Sequence, residues 1–181
     1  MKVDVQLSDY KVEKLLKQMV ILVDTAEQEN SHITNAFDKH KIAWRKKSLK
    51  FGDYSCELKA DDSGLPCDVT LENIVVVERK NSLDELGNNL KDGRTQFRNE
   101  FIESVRVGCQ NTHLVIEKGS WADIDKGNYE YGHKNAKSFY NSLLSFANRY
   151  NIKIDFVPKD LIWLHIVRIM QMQLKNLLEV N

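Results

Sequence analysis

Asn73-Ile74-Val75-Val76-Val77-Glu78-Arg79-Lys80-Asn81-Ser82-Leu83-Asp84 passes from an apolar run to a block of charges and then to a helix start. The β-branched residues 73–77 predict a buried strand, and its period of two sets Glu78 and Lys80 on one face with Arg79 on the other. A carboxylate and an ammonium therefore project together. Beyond them, Ser82 predicts an N-cap for a helix through Leu83, Leu86 and Leu90 to Lys91, broken at Asp92-Gly93. Upstream, Val20-Ile21-Leu22-Val23 reads as another buried strand, and Asp24 and Glu27 follow its C-terminal end, a common place for sites in α/β folds. Asp53, within Gly52-Asp53-Tyr54, opens a candidate strand over 54–59, and the polar segment 61–68, with Gly64 and Pro66, predicts the turn back to 73–77. If those two strands pair, Asp53 and Glu78 can share a cation.

Each piece alone has an ordinary structural explanation. A Glu-x-Lys on a strand serves as a solvated ion pair, a Gly-Asp as a turn, and an acid after a strand as a helix cap. Together they set two acids and a lysine where phosphodiester hydrolysis needs them, because carboxylates holding magnesium neutralise charge on the phosphoryl group and activate water. The order acid, acid, Glu-x-Lys matches the PD-(D/E)XK arrangement. Val23-Asp24-Thr25-x-Glu27, Gly52-Asp53-Tyr54, Glu78-Arg79-Lys80 with Asp84, and Gly93-Arg94 make the match more specific: the chain, from about Met19 to its final helix, resembles the nuclease domain of XPF-family structure-specific endonucleases. Ala26 departs from the family, which usually carries an arginine there.

That resemblance implies a restriction-endonuclease-like α/β fold, a central mixed sheet flanked by helices, and an endonuclease hydrolysing phosphodiester bonds in branched, flapped or forked DNA during repair or recombination. It implies Asp24, Asp53 and Glu78 as ligands of Mg2+, with Mn2+ as a substitute, Glu27 completing the acidic cluster, and the Arg79 carbonyl as a further ligand. Lys80 then stabilises transition-state charge and positions water in preference to acting as a base, since neighbouring carboxylates hold it protonated without metal. Arg79 and Asp84 support the ligands from behind; Asp84 equally suits a favourable charge at a helix N-terminus. The family's nuclease domains pair, and the final helix, about 159–178, is apolar around much of its circumference, which points to a homodimer through the C-terminal region or else to core packing.

Residues 1–18 read as a helical extension ahead of a nuclease domain spanning 19–181. Lys39, Lys41, Arg45, Lys46, Lys47 and Lys50 crowd the approach to Asp53 and suit a phosphate backbone or a solvated face. A second helix from Arg94, with Arg98 beside it, is expected to turn Phe97, Phe101, Ile102 and Val105 inward and to offer Arg94 to phosphate. A strand at 113–117 leads into a segment with Trp121, Tyr129, Tyr131, Gly132, His133 and Lys134, where aromatics can stack on unpaired bases or pack a loop. A helix over 138–150, a short strand over 152–156 and Pro158 complete the pattern.

At 181 residues and 42% hydrophobic, the chain suits one domain with a sizeable core. Its 26 basic and 26 acidic residues balance, so DNA contacts must come from local patches rather than bulk charge. Cys56, Cys67 and Cys109 form no metal or disulfide pattern, which suits a reducing, cytoplasmic setting. Neither a glycine-rich phosphate loop nor a membrane span is present, so neither a nucleotide cofactor nor a membrane is expected. The length after the final helix leaves no space for the tandem helix-hairpin-helix module that the family often adds, so a small bacterial or bacteriophage version, less selective for branches, is expected. The alternatives are a non-catalytic DNA-binding scaffold of the same fold, which Ala26 favours, and a restriction-type or repair-type nuclease related only by fold.

Overall fold

A computed structural model describes residues 7–130 and 135–179; Tyr131, Gly132, His133 and Lys134 lie outside the described residues. In chain order the elements are α1 (Asp9–Leu16), β1 (Val20–Asp24), α2 (Ser31–Lys39), β2 (Trp44–Lys47), β3 (Tyr54–Leu58), α3 (Ala60–Ser63), β4 (Val69–Thr70) and β5 (Val75–Lys80). They continue with α4 (Leu83–Lys91), α5 (Arg94–Arg106), β6 (Asn111–Ile116), α6 (Trp121–Lys126), α7 (Ala136–Tyr150), β7 (Ile152–Phe156) and α8 (Ile162–Glu179).

The strands form one mixed sheet in the order β2-β1-β3-β5-β6-β7, with the short β4 beside β3. β1 runs parallel to β2 and antiparallel to β3, which is antiparallel to β5; β5, β6 and β7 are mutually parallel. The pairing of β3 with β5 is short, Tyr54 opposite Val77, and it sets Asp53 beside the end of β5. Glu78, Arg79 and Lys80 are strand residues rather than an exit from one: β5 runs five residues past Val75, with Glu78 opposite Leu114 and Lys80 opposite Ile116.

Alternation in the strands sorts the side chains between two cores. Ile21, Val23, Tyr54, Cys56, Val75, Val77 and Val115 face α1, α2 and α8, whereas Leu114, Ile116 and Ile152 face α4, α5 and α7. Glu78 and Lys80 therefore point toward α5, where Lys80 Nζ sits 5.3 Å above the Phe97 ring, and Arg79 passes through to the α2 side. Phe97 and Phe101 fasten α5 in an aromatic group with Phe146 and Tyr150, each full burial contributing ~1.5–3 kcal/mol.

Ser82 caps α4 as expected, its hydroxyl accepting the Glu85 amide. Glu85 in turn accepts the Asn81 amide at 2.8 Å, a reciprocal cap that closes the turn after β5. Ile102 and Val105, expected inward, are 41% and 53% exposed, because α5 buries a narrow stripe through Phe97, Phe101 and Ser104. Helix α8 begins at Ile162, three residues later than expected, after a turn in which Leu161 bonds back to Pro158. Its buried side chains, Ile162, Ile166, Val167, Met170, Leu174 and Leu178 among them, pack within this one chain against the sheet and α1. Val12 and Leu15 of α1 belong to that same core. Among the described residues, no helix is long and apolar enough to cross a membrane.

Candidate active site

Asp53 is held between two strands by its backbone. Its amide donates to the Val77 carbonyl at 2.8 Å, and its carbonyl accepts the Asp24 amide at 2.7 Å. Gly52 makes the approach possible: φ is +70°, and a Cβ there would overlap the Val76 side chain and lie 3.3 Å from the Val77 carbonyl oxygen. The Asp53 carboxylate then accepts the Arg79 amide at 2.7 Å. Burial holds this carboxyl well above the usual carboxylate range, and the Glu78 and Glu27 carboxylates push it further, while the Arg79 amide and the Lys80 charge only partly offset them.

Lys80 Nζ donates to Glu78 Oε1 at 2.6 Å and lies 3.8 Å from Glu85 Oε1. Both side chains of the short pair are about nine-tenths buried. Burial works against the Lys80 charge, but the Glu78 carboxylate, its hydrogen bond and Asp53 outweigh it, so the lysine is held above its ordinary range. Lys80 is thus a fixed cation over an aromatic ring.

Arg79 belongs to the opposite face. Its Nε donates to Glu27 at 2.8 Å, Nη1 to Glu117 at 2.6 Å and Nη2 to the Glu29 carbonyl at 2.9 Å. Glu117 also meets His32 Nε2 at 2.7 Å. The guanidinium therefore ties the ends of β1, β5 and β6 together, and only the backbone amide of Arg79 touches Asp53.

Asp24 is engaged locally: Oδ2 accepts the Ala26 amide at 2.9 Å and Oδ1 the Leu49 amide at 2.7 Å. Among the described residues no three His, Cys, Asp or Glu side chains converge as a cation-holding group, so the expected trio of Asp24, Asp53 and Glu78 is not drawn together here. Asp53 and Glu78 nonetheless suit a hard dication, since each is an oxygen donor and the repulsion raising Asp53 is what such an ion relieves. Magnesium commonly uses one or two carboxylates and keeps water in its remaining positions.

The expected DNA contacts divide. Arg45 forms a two-pronged pair with Glu57, 2.8 and 2.9 Å, and Lys47 pairs with Glu72, both on the sheet's edge strand β2. Lys46, on the other face of that strand, and Arg98 are exposed, as is Arg94, whose guanidinium lies 5.2 Å from the Phe146 ring. Asp84 accepts the Glu130 amide at 2.7 Å and so ties the 121–130 segment to α4. In that segment Trp121 packs on Tyr140 and Phe156 and also lines an open pocket with Tyr140, and Tyr129 packs on Phe139.

Glu100 and Glu117 were not anticipated. Glu100 follows Phe97 by three residues, and helical spacing alone brings it to the inner side of α5 beside Glu78 and Lys80. Its Oε2 is buried without a hydrogen-bond partner among the described residues. Burial, then the Glu78 charge, pushes this carboxyl up to about 7. Because the fold favours its protonated form, Glu100 contributes stability fully present below its ordinary value of 4.5 and lost as pH rises through about 7. Metal-free protein should therefore resist urea less at pH ~8 than at pH ~5, with a shallower decline in Glu100→Gln; Asp53 keeps part of the slope. Identical slopes in both proteins would refute the assignment.

The family model for the ERCC4 domain matches residues 23–160. Among solved structures, XPF from Aeropyrum pernix resembles the chain at TM-score 0.61 and 16% identity, over 84% of this chain and 64% of that one. The same protein in complex with DNA gives TM-score 0.60 and 18% identity, over 87% and 66%. The chain thus spans just under two thirds of those proteins and shares their nuclease fold, the restriction-endonuclease-like mixed sheet flanked by helices. A segment of 95 residues is 22% identical to segregation and condensation protein B of Mycoplasmoides gallisepticum, covering 52% of this chain and 33% of that protein. With the matched span taking in β5, Asp53 and all three residues of Glu78-Arg79-Lys80, this chain belongs to the ERCC4 domain family.

Proposed function

We propose that this protein is a metal-dependent DNA endonuclease acting on branched, flapped or forked DNA in repair or recombination. The observation that carries the reading is the buried Glu78–Lys80 pair on one face of β5, next to a carboxyl, Asp53, that is crowded by Glu78. Such strain is a common mark of sites that await a cation. Asp53 and Glu78 would hold Mg2+, or Mn2+ in its place, with the Arg79 carbonyl as a further donor and Asp24 at the margin. When bound, the ion supplies charge neutralisation at the scissile phosphate and lowers the pKa of a water.

The protein's own residues do the rest. Lys80, held protonated, places a fixed positive charge beside the phosphoryl group, where a water-poor wall of Phe97 and Phe101 strengthens it. A base role for Lys80 is disfavoured by the same carboxylates that keep its proton. Arg94, Arg98 and Lys46 are the exposed cations assigned to the phosphate backbone, with Lys134 as a further candidate. Pairing of two copies through the C-terminal region rests on the family resemblance; α8 buries one side against this chain's own core and leaves Met172 57% exposed. A cytoplasmic setting and a bacterial or bacteriophage origin belong to the same reading.

The test is incubation of purified protein with labelled flap, fork, single-stranded and plain duplex DNA, with magnesium, manganese or chelator. Metal-dependent cutting of branched substrates supports the reading. Metal-insensitive binding without any cutting assigns the chain to the non-catalytic scaffolds of the same fold.

A further inference from the structure

A groove of about 600 Å³ opens between α2 and the turn leading into α8, on the side of the sheet away from Lys80. His40 stacks on Trp163 there, ring centroids 4.2 Å apart and planes 12° apart. Ala36 and Leu161 add apolar wall, and Lys39 and Lys159, both exposed, stand beside it. Asp160 is the one acid among the described lining residues, so two lysines and two histidines dominate the groove of a chain whose net charge is zero. Its second histidine, His32, meets Glu117 through Nε2, and Glu117 pairs with Arg79, whose amide holds Asp53. The groove is therefore joined to the candidate active site by three consecutive polar contacts of 2.6 to 2.7 Å.

We propose that this groove binds an unpaired nucleotide of a single DNA strand, its base against the His40–Trp163 stack and its phosphate near Lys39 and Lys159. A flat aromatic pair offers a surface to any base, but only to one whose own face is not already covered by a duplex neighbour. The lysines complement phosphate, and the volume suits a ligand the size of a nucleotide rather than a double helix. Trp121 and Tyr140 line a second open pocket, but their rings are tilted at 49°, whereas His40 and Trp163 stack nearly parallel with two lysines beside them. The proposal rests on the DNA-processing reading above and adds a part of the substrate that the chain holds: an unpaired nucleotide, on the face of the sheet opposite Lys80.

The experiment uses fluorescein-labelled oligothymidine and a labelled blunt hairpin duplex, read by anisotropy in chelator so that no cutting intervenes. His40→Ala should weaken oligothymidine binding by ~10-fold while hairpin binding changes little. A Lys39→Glu/Lys159→Glu protein should show a shallower salt dependence for the single strand. All three positions are exposed, and an unchanged melting temperature separates lost binding from lost folding. Equal oligothymidine affinity in every protein, equal losses for hairpin and single strand, or displacement of the oligonucleotide by a polyglutamate peptide at similar concentration would each overturn the assignment. Cleavage assayed separately keeps the two readings apart: cutting with unchanged binding removes the groove alone, and selective binding loss without any cutting in the wild type keeps the groove and removes the nuclease.

Discussion

Asp53→Asn and Lys80→Ala should each lower the rate of DNA cleavage by about three powers of ten or more, and they should do so with opposite effects on the metal-free fold. The rate estimate follows from removing a ligand or a fixed charge that acts on the transferring phosphoryl group, losses commonly worth ~10²–10⁴-fold or above. The stability contrast comes from this structure. Asp53 is a buried carboxyl raised by Glu78 and Glu27, so its ionised form is unwelcome without metal, and an asparagine oxygen can still accept the Arg79 amide. Asp53→Asn should therefore match or exceed the wild type in a urea titration at neutral pH with chelator present. Lys80→Ala instead strands Glu78, whose side chain is 10% exposed, and should be less stable. A protein that is as stable as the wild type yet inactive identifies a functional loss rather than an unfolded sample. Near-wild-type cutting by Asp53→Asn in magnesium would remove Asp53 from the site. A pH–rate rise between ~6 and 8 that disappears in Lys80→Arg would argue for a lysine base, against the raised range that Glu78 imposes.

Much of this site was legible because its information is local. The β-branched run before Glu78 states a strand, period two then fixes which side Glu78, Arg79 and Lys80 take, and Ser82 states the next helix. The unread parts depend on tertiary placement. Nothing in Trp44-Arg45-Lys46-Lys47 distinguishes a basic patch from an edge strand; the distinction comes from β1 lying alongside and from Glu57 and Glu72 capturing two of the cations. Helix α2 has no strong signal in the sequence because it buries two residues, Ile33 and Phe37, and its N-cap Asn30 makes no side-chain cap bond. Ile102 and Val105 carry the chemistry of core residues, but α5 has only one covered stripe, and a helix pattern does not reveal how wide a stripe its neighbours cover. The apolarity of α8 pointed to a homodimer or else to the interior; its buried side chains pack on the sheet, α1 and α2 within one chain, while Met172 stays exposed. Glu117 carried a readable signal, an acid directly after a parallel strand as Asp24 is at the end of β1, yet its function as the anchor of Arg79 required knowing that β5 and β6 are neighbours.

The division of labour within Glu78-Arg79-Lys80 gives the second large effect, one on stability. The family motif presents three adjacent charges as a unit, but strand geometry sends the middle one to the other side of the sheet. There the Arg79 side chain is 4% exposed and meets Glu27, the Glu29 carbonyl and Glu117, whose own side chain is fully buried. Arg79→Ala removes the guanidinium shared by these groups and leaves two carboxylates, with the His32 ring as the remaining side-chain contact of Glu117 among the described residues. Stranding a buried charge in this way costs ~3–5 kcal/mol, which for a chain of this size lowers the melting temperature by roughly 6–20 °C. Arg79→Lys should recover little, because one ammonium cannot span three partners in the guanidinium's plane. Arg79→Ala combined with Glu117→Gln should regain part of the loss, since the second change removes the charge that the first one exposed. A shift below ~1 kcal/mol in the urea midpoint for Arg79→Ala would mean that the network is solvated and holds nothing together. The same variants separate scaffold from chemistry: the Arg79 amide that positions Asp53 is backbone and survives every substitution, so cleavage by Arg79→Ala, measured well below its melting temperature, should fall far less than cleavage by Lys80→Ala. If both fall equally, the guanidinium reaches the reacting phosphate after all, and the face assigned to it by the alternation of β5 is not the face it uses when DNA is bound.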